Sequence, residues 1–214
     1  MTVPYERSVF INCPFDVAYK TLFDAIIFTV HDCGFFARHA LEDTGGREQR
    51  LNKIFRLIET SRLSIHDVSR VELDEKSRLP RFNMPFECGL AFGAMHFDKN
   101  RSDGKRDALV MTGVPYQDKS TISDLAGIDP CYHHNETNKV IASVRKFLAA
   151  KAALDTPSLA MRGHQSIYKR LNTFQAELPV TLAAAQLTQI EINSLDYLND
   201  WQKLAALWIA ANHT

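Results

Sequence analysis

Two carboxylates near the ends of a predicted strand and a predicted helix are the side chains of this chain that are best suited to catalysis. Glu87 lies in the segment FNMPFECGLAFGA, near the start of a predicted helix, and Asp67 ends the predicted strand that precedes this segment. An ionised carboxylate in a dry crevice can stabilise or attack an oxocarbenium-like centre, which forms when a glycosidic bond breaks. Glu87 is therefore the first candidate for a catalytic residue.

Asp67 is the candidate for a second catalytic group. The base of an ordinary nucleoside usually needs a proton when it leaves, and Asp67 could donate that proton. A nicotinamide leaving group is already cationic and departs neutral, so its release needs no separate acid. The structural alternative is that Asp67 bonds to its own neighbouring backbone, as aspartates in turns commonly do.

The helix predicted to carry Glu87 has unusually many residues with small side chains. Glu87 shares a stripe with residues three, four and seven positions later, namely Leu90, Ala91 and Ala94, so its carboxylate is expected to face the sheet. Asn83 is expected to cap this helix, and the glycines at positions 89 and 93 would allow close approach to strands or a ligand. The structural alternative is that Glu87 merely favours its own helix terminus, which is worth about 0.3–1 kcal/mol.

Strands and helices alternate over the first half of the chain. Apolar, β-prone runs predict strands at 8–13, 35–41, 63–68 and 106–112, and helical spacing predicts helices at 18–31, around 51–58 and at 83–97. This alternation predicts a flavodoxin-like α/β fold with an open parallel sheet and helices on both faces. Ligands of such sheets bind outside the carboxyl ends of the strands, where Asp67 is expected.

The pattern changes in the second half of the chain. Residues 1–155 are predicted to form the α/β domain, with a short edge strand around Cys131, and residues 156–214 a helical C-terminal region. One of its helices is predicted to end at Pro179. The two tryptophans, seven positions apart, share one face of the last helix, and packing within their own domain is favoured over a partner groove.

Polar, basic and aromatic residues near the predicted strand ends are candidates for substrate binding. Arginines are included because guanidinium groups pair well with phosphate oxygens. The predicted substrate-binding residues are Asn12, Phe15, Arg38, Ser69, Arg70, Arg81 and Asn83. The basic row on the second helix, which includes Arg50, is interpreted as solvated surface.

Composition disfavours several classes of function. Lys and Arg total 25 and Asp and Glu total 25, so the broad attraction expected of a duplex-binding protein is absent. The chain contains no GxxxxGK[ST] or GxGxxG loop, and its scattered histidines and cysteines predict no metal site. Cys88 is interpreted as a small core residue that points away from the Glu87 stripe.

The expected location is the cytoplasm. The N-terminus does not read as a signal peptide, and the apolar runs are too short to span a bilayer, so no membrane partner is expected. The four cysteines form no CxxC pair and no dense framework, which suits reduced thiols.

Two segments carry a family resemblance. The run ECGLAFG at residues 87–93 resembles the E-x-G-x-A-x-G signature of nucleoside 2-deoxyribosyltransferase-like proteins, in which the glutamate is the nucleophile. The opening SVFINCPFD is similar to the first-strand box of Toll/interleukin-1 receptor (TIR) domains, whose enzymatic members hydrolyse NAD with a glutamate on a corresponding helix. The similarity covers about residues 7–115, and it implies a flavodoxin-like sheet with Glu87 as the catalytic carboxylate.

The combined expectation is a nucleotide N-glycosidase, most specifically an NAD-cleaving TIR-like hydrolase that acts as a defence effector. NAD would be its substrate, no cofactor is predicted, and the helical C-terminus is expected to mediate homo-oligomer formation. Two alternatives stay open. One is a non-catalytic nucleotide-sensing or signalling module, and the other is a nucleoside 2-deoxyribosyltransferase.

Overall fold

The computed structural model describes residues 3–43, 45, 48–70, 82–98, 106–115, 127–155 and 161–213. Contacts divide the chain into two compact units. The first combines Met1–Pro14 with Phe36–Asn135, and the second combines Phe15–Phe35 with Glu136–Thr214.

The first unit is built on a parallel sheet. Its described strands are β1 (Ser8–Asn12), β2 (Phe36–His39), β3 (Leu63–Asp67), β4 (Asp107–Thr112) and β5 (Cys131–Tyr132). All neighbouring strands pair in parallel in the order β2-β1-β3-β4-β5. This order is the flavodoxin-like one, and the predicted fold class is confirmed.

The central strands are buried along their whole length. Every residue of β1 and of β3 is buried, which explains why both strands appear in the sequence as compact runs rather than as alternating patterns. The two-residue β5 forms one edge of the described sheet and is only half-buried. It is the short edge strand that the sequence predicted.

Two helices of the first unit follow strands of this sheet. Helix α2 (Arg50–Glu59) buries its apolar stripe of Ile54, Leu57 and Ile58. Helix α3 (Asn83–Phe97) begins and ends where the sequence predicted. Met84 and Cys88 of α3 join Val68 and Val110 in one apolar cluster, so α3 is fixed against residues that follow β3 and lie on β4.

The second unit is helical. It contains α1 (Lys20–Asp32), α4 (Thr137–Asp155), α5 (His164–Ala184), α6 (Gln189–Asn193) and α7 (Leu198–Ala211). Helices α1 and α4 therefore group with the C-terminal helices, a division that differs from the predicted one between residues 155 and 156. The reason is that α1 packs on α4 and α7. None of the described helices is both long and apolar enough to cross a bilayer.

An aromatic cluster forms the centre of the helical unit. The ring of Phe174 lies 5.5 Å from that of Trp201, and 5.8 Å from those of Trp208 and Phe28. The tryptophans thus pack within their own unit. Helix α5 runs through Pro179, so the predicted end at this residue is wrong. Its buried neighbours Leu178 and Leu182 show that packing outweighs the lost N–H bond at this proline.

Candidate active site

Glu87 lies on the buried stripe of α3. Its side chain is 6 % exposed, and the other buried residues of the helix are Met84, Cys88 and Ala91. The inward orientation of Glu87 agrees with the prediction from spacing. The buried stripe is rotated relative to the predicted one, because it includes Met84 and Cys88 in place of Leu90 and Ala94. Cys88 is therefore a core residue beside Glu87, and the prediction that it points away from the Glu87 stripe is wrong.

Helix α3 starts without a side-chain cap. Phe82 occupies the N-cap position with φ −83° and ψ −5°, and its side chain makes no capping hydrogen bond. Asn83 is already the first helical residue and is exposed, so its predicted capping role is wrong. Glu87 lies beyond the first turn, which contains no acidic residue. Because the dipole effect falls off within that turn, it does not account for a glutamate at this position.

Arg50 is the described partner of Glu87. The Nη2 atom of Arg50, the first residue of α2, lies 3.4 Å from Oε1 of Glu87. The Arg50 side chain is 58 % exposed, in contrast to its buried partner. Burial raises the pKa of Glu87 above its ordinary value of 4.5, and the charge and hydrogen bond of Arg50 oppose this rise.

Asn12 connects the end of β1 to the start of α3. Its Nδ2 atom donates to the carbonyl oxygen of Met84 at 2.8 Å and lies 3.0 Å from Nδ1 of His66. Since the amide nitrogen is a donor, Nδ1 of His66 accepts, and the hydrogen-bond network assigns the ring proton to Nε2, which lies 2.9 Å from Ser64 Oγ. Burial lowers the pKa of His66 to about 3, so the imidazole is neutral at physiological pH.

Asp67 is completely buried at the end of β3, with both oxygens near nitrogen atoms. Its Oδ1 accepts a 2.9 Å hydrogen bond from the backbone N–H of Ser69, and its Oδ2 lies 2.9 Å from Nε2 of His133. The local backbone bond of the structural alternative is therefore present. Nδ1 of His133 accepts from the backbone N–H of Asn135 at 3.0 Å, which places the ring proton on Nε2. The contact of Nε2 with Asp67 is close but does not have hydrogen-bond geometry.

The turn that follows β5 shapes the surroundings of Asp67. His134 and Asn135 have positive φ angles of 50° and 58°, a conformation that is uncommon for residues other than glycine. This backbone brings the N–H of Asn135 back to the ring of His133. Within the described part of the chain, no three His, Cys, Asp or Glu residues are placed to hold a metal ion.

The remaining predicted binding residues occupy different surroundings. Arg38 forms a bidentate pair with Glu42, with bonds of 2.8 Å from Nε and 2.6 Å from Nη2. Arg70 is half-buried directly after Ser69. Phe15 belongs to the helical unit, where its ring lies 5.3 Å from that of Phe23. Arg81 lies outside the described residues.

The two glycines of α3 do not support a close approach to the described strands. A Cβ atom built on Gly89 or on Gly93 would meet nothing within 4 Å in the described part of the chain. A groove of about 440 Å³ lies beside this face, between α2 and α3. Its lining includes Asp98 after α3 and Arg106 before β4, which place it towards the amino-terminal edge of the sheet.

Sequence reasoning missed Arg50 and His133. Arg50 was interpreted as solvated surface, because the basic row of its helix resembles an ordinary wet face. Arg50 and Glu87 are 37 residues apart, and Asp67 and His133 are still more distant in sequence. The adjacent histidines at positions 133 and 134 were the only sequence signal for a contact of this kind. The pairing of the strands is what brings His133, which follows β5, close to Asp67 at the end of β3.

The described residues assemble a buried carboxylate beside an exposed guanidinium, on a helix whose first turn is bonded to the end of β1. Oε1 of Glu87 contacts Arg50, and Oε2 bonds to none of the described residues. Such a carboxylate can stabilise positive charge that develops nearby. Comparisons with protein-family models, with curated proteins and with solved structures give no match for this chain.

Proposed function

We propose that this protein is a nucleotide N-glycosidase, and specifically a TIR-like hydrolase that cleaves NAD. The observation that carries the proposal is the buried carboxylate of Glu87, 6 % exposed, on a helix that starts at the carboxyl edge of a 2-1-3-4-5 parallel sheet. Ligands of such sheets bind at this edge. The motif resemblance around residues 87–93 supports the same assignment.

In the proposed reaction, the bond between the ribosyl carbon and the nicotinamide nitrogen breaks. The bonding electron pair stays with the nitrogen, so the cationic pyridinium leaves as neutral nicotinamide. Glu87 stabilises the positive ribosyl carbon or attacks it. Water then adds to that carbon and loses a proton, which yields ADP-ribose. The leaving group needs no acid, which is compatible with an Asp67 that is buried and bonded to Ser69.

Release of nicotinamide from NAD by the purified protein tests this proposal. We expect Glu87→Gln to lower the rate by about 100-fold or more, because the substitution removes the charge that stabilises the transition state. Glu59→Gln is the matched control, since Glu59 is an exposed glutamate on neighbouring α2. Unchanged release by folded Glu87→Gln protein would rule out the catalytic assignment.

The ion pair of Glu87 with Arg50 favours one alternative function. A carboxylate that is neutralised by a protein cation also suits a non-catalytic nucleotide-sensing module. Saturable NAD binding by equilibrium dialysis, with no nicotinamide released, would support that module. A nucleoside 2-deoxyribosyltransferase would instead exchange bases between a deoxynucleoside and an added free base.

We further propose that the protein acts in the cytoplasm as a defence effector and self-associates through its helical unit. Large apolar side chains on this unit support the second point, since Val180, Ile190 and Leu207 are all mostly exposed. Light scattering after size exclusion tests the oligomeric state. A strictly monomeric protein at all concentrations would contradict self-association.

A further inference from the structure

Arg50 and Glu87 form an unequal ion pair between two helices. The guanidinium is 58 % exposed, the carboxylate is 6 % exposed, and 3.4 Å separates Nη2 from Oε1. This distance is longer than the 2.7–2.9 Å of a tight charge-assisted bond. The contact therefore neutralises part of the carboxylate charge without enclosing it.

On the elements packed against α3, Glu59 of α2 is exposed, and the other charged and titratable groups have the following partners. On α2, Lys53 bonds to the carbonyl oxygen of Asp43, and Arg56 pairs with Glu48 at 2.7 Å. On β3, His66 contacts Asn12 and Ser64, and Asp67 contacts Ser69 and His133. On β4, Asp107 accepts a hydrogen bond from the backbone N–H of Ala108. Among the described residues, Arg50 is the cation that reaches Glu87.

We propose that Arg50 is a positioning residue that acts through Glu87, because its guanidinium at the helix surface keeps the buried carboxylate ionised at the pH of the reaction. This inference rests on the proposed function, in which Glu87 must carry a negative charge. Removing the cation would leave a buried carboxylate without compensation, and such a group becomes neutral by taking up a proton. The opposing effects of burial and Arg50 on the pKa of Glu87 agree with this role.

A titration of Glu87 tests the electrostatic role without any activity. Carboxyl-¹³C glutamate is incorporated, the Glu87 signal is identified by its loss in Glu87→Gln, and the signal is followed with pH by NMR. We expect Arg50→Gln to raise the pKa of Glu87, and Arg50→Lys to restore it in part because the charge remains. Arg56→Gln is the matched control on the same helix, since Arg56 pairs with Glu48 instead. An unchanged Glu87 titration in folded Arg50→Gln protein would overturn the inference.

The pH profile of nicotinamide release tests the link to catalysis. We expect Arg50→Gln to lower kcat/KM by about 3–10-fold on the acid side and to approach the wild-type value at higher pH, because the remaining carboxylate then ionises. A loss of equal size at every pH would indicate a merely structural role and would overturn the inference. If the wild-type protein releases no nicotinamide, the proposed function fails, and the NMR titration still decides the electrostatic role of Arg50.

Discussion

Asn12, the last residue of β1, donates a hydrogen bond of 2.8 Å from its side-chain nitrogen to the carbonyl oxygen of Met84, in the first turn of α3. This bond joins the strand end where ligands of such sheets bind to the helix that carries Glu87. The same nitrogen lies 3.0 Å from His66 on β3. One amide therefore ties together two adjacent strands and the helix of the candidate site.

Replacement of Asn12 by leucine should destabilise the protein, because the substitution removes the side-chain bond to the carbonyl of Met84 and leaves the buried Nδ1 of His66 without its donor. We expect a loss of about 1–3 kcal/mol in the free energy of unfolding, measured by urea denaturation. Asn193→Leu is the control, since Asn193 is an exposed helical residue that accepts one bond from Gln189. Equal effects of the two substitutions would show that the bond to Met84 contributes nothing.

The stability of the wild-type protein relative to Glu87→Gln should depend on pH. Burial raises the pKa of Glu87 in the folded state above the 4.5 of an exposed glutamate, so ionisation opposes folding. Glutamine stays neutral. The variant should therefore gain stability relative to wild type as pH rises from about 4.5 through the folded pKa, and the difference should then become constant.

Thermal unfolding across a pH series measures this difference, and Glu191 provides a control of opposite sign. Bonds from Thr188 lower the pKa of Glu191, so its ionised form stabilises the fold. Glu191→Gln should therefore be less stable than wild type at pH 4.5 and above by a constant amount, and this difference should shrink as pH falls below 4.5 through the folded pKa. A difference between wild type and Glu87→Gln that does not change with pH would contradict a raised pKa of Glu87.

Removal of the Lys20 ammonium should strongly destabilise the helical unit. Lys20 pairs with buried Asp24 at 2.7 Å, and burial raises the pKa of Asp24 from 3.8 to about 6. At pH 7 we expect Lys20→Gln to cost about 3–5 kcal/mol, because a buried carboxylate loses its cation. The cost should shrink as pH falls through about 6, where Asp24 takes up a proton.

Lys203→Gln is the matched control for this substitution, because Lys203 is 74 % exposed and lies 3.8 Å from Asp200. An exposed pair of this kind contributes at most about 1 kcal/mol. Chemical denaturation at pH 7 and pH 5 distinguishes the two. Similar small losses at both sites would show that the Lys20 pair is no more important than a surface pair.

Phe174→Ala should open a cavity between both tryptophans. The ring of Phe174 lies within 6 Å of three other aromatic rings, and its loss should cost about 3–5 kcal/mol in unfolding free energy. Tryptophan fluorescence should shift to longer wavelength as water reaches Trp201. Val180→Ala on the same helix is the control, since Val180 is 77 % exposed. A fluorescence shift of the same size in that control would contradict the packing role of Phe174.

The sheet was predictable because its central strands are short compact runs between clear helical patterns. The strand order was not directly readable, since pairing joins residues that are far apart in sequence. Helical spacing correctly placed Glu87 on an inward-facing stripe, but it misjudged the members of that stripe. Met84 and Cys88 complete the stripe because the apolar cluster with Val68 and Val110 sets the rotation of α3.

The errors at Asn83 and Pro179 have a common physical cause. Both residues were interpreted through local preferences for capping and for helix breaking, and packing of neighbouring residues outweighs those preferences. The sequence did not reveal the partner of Glu87 for a related reason. Arg50 shares the row of an ordinary solvated face, and only the packing of α2 on α3 gives it a buried acidic neighbour.

The uncapped start of α3 has a consequence for the order of folding. The N-cap residue Phe82 supplies no side-chain bond, and the side chain of Asn12 on β1 bonds to the carbonyl oxygen of Met84 in the first turn. Since most of the stability of a protein helix comes from its packing, we expect α3 to become stable only when the sheet has formed beneath it. The candidate site should therefore assemble late and cooperatively, and partly folded chains that lack the β1-β3 pairing should hold no organised carboxylate at position 87.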